Sequence, residues 1–227
     1  MQSQKWPEVE HIVIDGASSD GTVQLIQSCL RSGSIFVSES DNGIYDALNK
    51  GFSLSTGQVI GVLHSDDYFT DQDVLAQIAF IFSDPSVDAV YGDLDYVSKS
   101  NELNVVRRWR SGKYERWKLI FGWMPPHPAL FLRRNIIERL GGYDTNFRIS
   151  GDYDSILRYF WKGGIRVRYI PRVLVKMRTG GESNRSLERI LLKMREDYYA
   201  LHRNGVGGFF TLFLKNIRKI SQFFVRI

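Results

Sequence analysis

The sequence predicts an α/β fold, a mostly parallel sheet with helices on its faces, and three observations point there. Over the first ~70 residues, short apolar runs alternate with amphipathic stretches as strand, helix, strand, helix, strand, the order that builds a parallel sheet through crossover helices. Each run ends in acids or turn residues, at Asp15, at Glu39 to Gly43 and at Ser65 to Asp67, so one sheet edge collects the polar groups. The composition also carries a core, since 43% of the 227 residues are hydrophobic.

The first strand is Val9–Ile14, bounded by Pro7 and Gly16. A loop of small residues, Gly16-Ala17-Ser18-Ser19-Asp20-Gly21, leads to a helix over Thr22–Leu30 with Val23, Ile26 and Leu30 on one face. Ile35–Ser38 is a second strand, and Ile44–Ser55 a second helix whose buried face is Ile44, Ala47, Leu48 and Phe52. Gln58–Leu63 reads as the central strand and runs straight into Asp66 and Asp67. A helix over Asp71–Phe82 follows, then strands at Val87–Tyr91 and Leu94–Val97. Pro125-Pro126-His127-Pro128 forbids helix. Beyond it come a strand at Ala129–Leu132, a helix at Arg134–Leu140 and a helix opened by Gly151-Asp152-Tyr153-Asp154. Arg166–Ile170 and Val173–Arg178 are strand-like, Thr179–Asn184 is a glycine-containing loop, and Leu187–Leu201 is a helix.

Charge divides the chain. Residues 1–100 carry 4 basic and 15 acidic side chains, and residues 101–227 carry 26 and 10. An acidic half joined to a basic half suits a metal-and-nucleotide site beside a surface that meets phosphates or a membrane. No zinc-finger, RNP-like or helix-turn-helix pattern occurs, so nucleic acid is not an expected partner. The one cysteine, Cys29, suits a reducing compartment. No apolar h-region follows Met1, and no run reaches the ~18 apolar residues of a membrane span.

Paired carboxylates at a strand end hold Mg²⁺ or Mn²⁺ against phosphates, which makes Asp66 and Asp67 candidate ligands. The alternative is a solvated loop that caps the next helix.

Several motifs in order resemble the family 2 glycosyltransferases of the GT-A fold, in particular the bacterial polysaccharide-building members. Ile14 to Thr22 looks like the base-recognition loop, and Asp41-Asn42-Gly43-Ile44-Tyr45-Asp46 opens a segment like the second donor-contacting one. Leu63-His64-Ser65-Asp66-Asp67 matches the DXD-type metal motif with His64 where Asn is usual. Ser150 to Asp154 matches the segment with the catalytic carboxylate, with Gly151 in place of an acid, and Thr179 to Ser183 resembles the glycine loop beyond it. The resemblance covers Trp6 to about Ser183. It lacks the family's opening strand and helix, so the expected sheet is missing a central neighbour of Val9–Ile14.

The resemblance implies transfer of a sugar, with inversion, from a nucleoside diphosphate sugar to a saccharide or lipid-linked acceptor, in surface polysaccharide biosynthesis. It implies Mg²⁺ or Mn²⁺ on Asp67 with Asp66 alongside, and Asp152 as general base with Asp154 its competitor. Asp15, Asn42, Gly43, Asp46 and Asp66 are the donor-side candidates, and His127 the acceptor-side one. For each, a structural role competes: a turn acid, a helix cap, a core histidine. A truncated, non-catalytic nucleotide-sugar-binding remnant and, less favoured, a sugar-phosphate nucleotidyltransferase are the alternatives. The organisation expected is a nucleotide-sugar-binding half over residues 1–100, an acceptor and catalytic half over 101–183, and C-terminal helices over 184–227.

In the tail, Phe209, Phe213, Ile217, Ile220 and Phe224 recur at helical spacing, while Lys215, Arg218, Lys219, Gln222 and Arg226 share another face. That is the pattern of a basic amphipathic helix on an anionic membrane, and the alternatives are packing on the domain or a dimer contact. The expected location is cytoplasmic, peripheral on the inner face of a bacterial plasma membrane.

Overall fold

The computed structural model describes residue 1, residues 3–179 and residues 187–222. The chain opens β1 (Ile12–Asp15), α1 (Thr22–Cys29), β2 (Ile35–Ser38), α2 (Ile44–Leu54) and β3 (Val59–Gly61). It continues through β4 (Asp67–Phe69), α3 (Val74–Phe82), β5 (Ala89–Val97) and β6 (Val105–Trp109). After a 3-10 turn at Arg116–Phe121 come β7 (Leu130–Arg133), α4 (Arg134–Leu140), α5 (Gly151–Leu157), β8 (Val167–Arg178), α6 (Leu187–Asn204) and α7 (Phe209–Ser221).

The long strand β5 organises the sheet. It pairs in parallel with β8 along its length, antiparallel with β7 through Ala89–Tyr91, and antiparallel with β6 through Leu94–Val97. Side-chain alternation then sends Val90 and Leu94 to one face, where α3 covers them with Val74, Ile78 and Phe82. Ala89 and Tyr91 face the other way, into a core shared with Ile136, Ile156 and Leu201 from α4, α5 and α6.

The α/β class stands, and the sheet is mixed and not purely parallel: β5 with β8 and β1 with β2 are parallel, and β3 with β7, β7 with β5, β5 with β6 and β4 with β8 are antiparallel. The strand expected at the centre, β3, lies at the edge of a six-stranded sheet ordered β3-β7-β5-β8-β4, with β6 branching off β5. The crossover order of the first ~70 residues sets only the local βαβ units, whereas β5, β7 and β8 supply the long-range partners. Two strand pairs of the sequence reading fuse. Val87–Tyr91 and Leu94–Val97 become β5, and β8 runs through Pro171, whose missing N–H falls in a ladder irregularity between Tyr169 and Val173. β4 was not expected, and it delays α3 to Val74.

Sheet pairing breaks once. β1 and β2 form a separate parallel pair, and among the described residues β1 is not hydrogen-bonded to β3. The Glu10 carboxylate ties the starts of the two strands, accepting from the backbone N–H of Thr56 and Gly57 at 2.8 and 3.1 Å. Gly180 to Ser183 of the expected glycine loop, with Phe224 and Arg226 of the tail, lie outside the described residues. Among the described residues no helix is long and apolar enough to cross a membrane.

Candidate active site

Asp66 and Asp67 sit where β4 begins against the end of β8. Asp67 pairs with Met177 in register, and Arg178 donates its backbone N–H to Asp66 O at 3.3 Å. Asp66 is exposed and Asp67 buried. Neither carboxylate oxygen of Asp67 has a hydrogen-bond partner. Burial, then the neighbouring Asp66 charge, push its carboxyl up to about 7. A buried, unpartnered carboxylate beside a second acid fits a hard divalent cation, which binds through one or two carboxylates and completes its shell with phosphates and water. Among the described residues no three His, Cys, Asp or Glu side chains cluster as a ready-made metal cage, so the pair Asp66 and Asp67 is the donor set offered.

Asp152 opens α5. Its Oδ1 accepts the N–H of Tyr153 at 2.8 Å and lies 3.4 Å from the Tyr45 hydroxyl, which donates to Ile149 O at 2.6 Å. A Cβ on Gly151 would stand 2.8 Å from the Tyr45 ring, so the glycine is what lets that ring lie against the first turn of α5. His64, His127, Tyr143 and Tyr96 all feel the Asp152 charge, and Tyr96 feels Asp67 as well. Tyr96 is thus within electrostatic range of both acids. His64 and His127 have rings 5.8 Å apart, and the buried His127 contacts the Tyr143 hydroxyl through Nε2. Burial pushes His127 down to about 4, so it is neutral at pH 7.

Asp154 has a different setting. It is fully buried, accepts from Asn204 Nδ2 at 2.8 Å, and lies 3.4 Å from both Arg158 and Arg203, tying α5 to α6.

The donor-side candidates are engaged in local structure. Asp15 accepts from Ser18 N–H, Ser18 Oγ and Ser38 Oγ at 2.6 to 2.9 Å, and the hydrogen bonds from Ser18, then that from Ser38, hold its carboxyl below the usual range. Asp46 accepts the N–H of Asn42 at 3.0 Å, and Gly43 donates to Asp41 at 2.9 Å. A Cβ on Gly16 would come 2.6 Å from Asp41, so the loops after β1 and β2 touch through that glycine. Ala17, next to Gly16 in the loop after β1, holds a left-handed φ of 62°, a conformation that costs energy and recurs at ligand sites.

A family model, Glycosyl transferase family 2, matches residues 1–141. The chain belongs to glycosyl transferase family 2. It is 31% identical over 191 residues to a PGL/p-HBAD biosynthesis glycosyltransferase of Mycobacterium bovis, covering 82% of this chain and 72% of that one. An uncharacterized glycosyltransferase of Mycobacterium tuberculosis is 34% identical over 158 residues, covering 66% of this chain and 56% of its own length. Among solved structures, mannosyltransferase PcManGT from Pyrobaculum calidifontis, in complex with GDP-Man and Mn²⁺, superposes with a TM-score of 0.62 at 20% identity. That match covers 94% of this chain, which spans 62% of the mannosyltransferase. S. aureus TarS in complex with UDP-GlcNAc gives a TM-score of 0.64 at 13% identity, over 90% of this chain and 59% of that one. These likenesses establish the GT-A fold.

In this family 2 chain the fold also makes contacts that no local sequence pattern marks. Tyr45 stood inside a quoted motif, but its reach to Asp152 spans 107 positions. Tyr96 and Arg107 meet because β5 and β6 pair, with the Arg107 guanidinium 4.5 Å over the Tyr96 ring and 5.5 Å over Trp109. The basic, aromatic composition around Arg107 was visible, whereas its strand was not.

Proposed function

We propose that the chain transfers a sugar from a nucleoside diphosphate sugar to a hydroxyl of a saccharide or lipid-linked acceptor, with inversion, in surface polysaccharide biosynthesis. The observation that carries the reading is Asp67, buried with both oxygens unpartnered beside Asp66, together with Asp152 in the first turn of α5. The acceptor oxygen forms a bond to the anomeric carbon, the bond from that carbon to the diphosphate oxygen breaks, and the electron pair leaves with the diphosphate. Asp152 takes the acceptor proton. Asp67 and Asp66 would hold Mg²⁺ or Mn²⁺, which when bound supplies neutralisation of charge on the departing diphosphate. The solved neighbours that bind GDP-Man and UDP-GlcNAc support this donor class. Asp15, Asn42, Gly43 and Asp46 shape the donor side through the two touching loops, and neutral His127 lines the acceptor side.

A cytoplasmic location on the inner face of a bacterial membrane belongs to the same proposal. Its support is the apolar surface of the last two helices, where Leu191 is 67% exposed and Phe209 73%, the chemistry of an interfacial helix.

The test is a transfer assay across nucleotide sugars with Mn²⁺ and Mg²⁺, with the anomeric configuration of the product read by NMR. Inversion is expected, and retention would remove the single-base mechanism. Asp152→Asn should bind donor normally and lose roughly 10²–10⁴ in rate. An active Asp152→Asn beside a folded but dead Asp154→Asn would assign the base to Asp154.

A further inference from the structure

We propose that Glu196 of α6 is a positioning residue for Asp152: its carboxylate fixes the backbone turn that presents the base. This role rests on the transferase reading above, in which Asp152 takes the acceptor proton. Three consecutive main-chain N–H groups converge on the one side chain. Arg148 donates to Oε1 at 2.9 Å, and Ile149 and Ser150 donate to Oε2 at 2.9 and 2.8 Å. Successive N–H groups aimed at one point form a concave cradle for an anion. Bonds from such groups to a carboxylate are roughly twice as strong as neutral ones. Here the anion belongs to the same chain, 46 to 48 positions further on.

The cradle ends at Ser150, and α5 begins at the next residue. Ser150 does not cap that helix; its hydroxyl points to Lys193 O of α6, 3.5 Å away. Glu196 supplies from α6 the order that a cap residue gives locally. From the other side, the Tyr45 hydroxyl of α2 donates to Ile149 O at 2.6 Å. Both polar groups of Ile149 are thus held, its N–H by α6 and its carbonyl by α2. Further into the helix, Asp154 accepts from Asn204 of α6 at 2.8 Å. Asp152 stands between these two anchors. Gly151 and Tyr153 on either side of it are buried, while Asp152 is half-buried, so the anchored turn leaves one accessible carboxylate. A small displacement of a reacting group is costly in rate, which gives a side chain that fixes this turn leverage over the transfer step.

The test is a double-mutant cycle on the full chain. Glu196→Ala should lower kcat on the order of 10²-fold, the scale of a misplaced catalytic group, with the donor KM nearly unchanged. Glu196→Gln keeps an oxygen for two of the three N–H groups, so it should lose less, and it carries the test if the alanine variant fails to fold. Calorimetry with UDP and GDP in Mn²⁺ counts the folded sites, so lost protein is divided out of kcat. In the Asp152→Asn background the same substitutions should cost at most about twofold, because the group they displace is already gone. Equal losses in both backgrounds would show a purely structural role and overturn the proposal, as would a fully active Glu196→Ala. An active Asp152→Asn would take away the base assignment, and this proposal with it. Hydrogen exchange needs no turnover: the amides of Arg148, Ile149 and Ser150 should exchange at least about tenfold faster in Glu196→Ala, and unchanged exchange would show that Glu196 does not hold the turn.

Discussion

At the scale of single residues, Asp67 shows how a buried, unpartnered acid strains the fold that carries it. Its carboxyl ionises near 7 in the folded chain against 3.8 for an unperturbed one. Between those values the folded state binds more protons than the unfolded state, so this group makes stability fall as pH rises from about 4 to 7. The full shift corresponds to about 4 kcal/mol at 1.36 kcal/mol per unit. Asp67→Asn should therefore raise the melting temperature of the metal-free protein at pH 8 and change it little at pH 4, while abolishing Mn²⁺-dependent nucleotide binding in calorimetry. A metal-dependent affinity that survives the substitution would remove the ligand assignment. For the unaltered chain, Mn²⁺ affinity should weaken as pH falls below 7, because the ion competes with a proton for the same oxygens. Gly151 is the second telling residue. Gly151→Ala pushes a methyl group into the Tyr45 ring, an overpacking that costs about 1–3 kcal/mol, and it moves the hydroxyl beside Asp152. Transfer should fall by about tenfold or more with donor affinity retained, whereas unchanged kinetics would show that Tyr45 does not position the base.

Among the elements, α7 owes its place to one buried charge. Lys215 reaches Asp197 of α6 at 2.7 Å and lies 3.4 Å over the Tyr153 ring of α5, and Lys193 adds a second contact to Asp197 at 3.0 Å. Burial alone would raise the Asp197 carboxyl, but the Lys215 and Lys193 ammonium groups outweigh it and hold it well below the usual range. Stability from this group is present above the unfolded carboxyl value and is lost as pH falls below it. Lys215→Ala should cost about 3–5 kcal/mol, the usual penalty for stranding one partner of a buried pair, and Lys215→Met with Asp197→Leu should recover most of it. Chemical denaturation of the three chains checks this, and a single variant as stable as the parent would show that α7 is held by its apolar contacts alone. The same helix marks where sequence reasoning stops. Periodicity revealed an amphipathic helix near Phe209 to Ile220, but which side meets the domain depends on Asp197 and Tyr153, far away in the chain. The acids after β3 and at the start of α5 were readable because their signals are local. Asp152 and Asp154 lie on opposite sides of a helix by spacing, and only the packing of α6 shows which one is sealed in. β4 and β6 went unseen because pairing with β8 and β5, not their own composition, makes them strands.

Across the whole molecule, the break between β1 and β3 leaves strand edges unpaired and carries an energetic cost. Each strand has one partner among the described residues, β2 for β1 and β7 for β3. Their inner edges carry backbone groups without sheet partners, and such groups are costly when kept from water. The side chains register the same break: Ile12, Val13, Ile14, Val59 and Ile60 are only half-buried, although apolar strands of a helix-covered sheet are normally buried on both faces. A cavity of about 330 Å³ opens nearby, lined by Phe52 of α2, Ile60 of β3 and Ile137 of α4. One added strand pairing with both edges would join the two sheets and let α2 close on its neighbours. A chain supplied with such a strand and its helix, on the order of 25–35 residues for such a unit, should melt cooperatively at a higher temperature than the 227-residue chain. Hydrogen exchange should localise the gain, with new protection at the amides of Val13 and Ile60 and little change in β5, which already has its partners. Donor turnover should rise with it, because the loops after β1 and β2, which we propose shape the donor side, hang from the detached pair. If both chains melt alike, exchange alike and turn over donor alike, the break costs nothing and the two sheets are a complete arrangement.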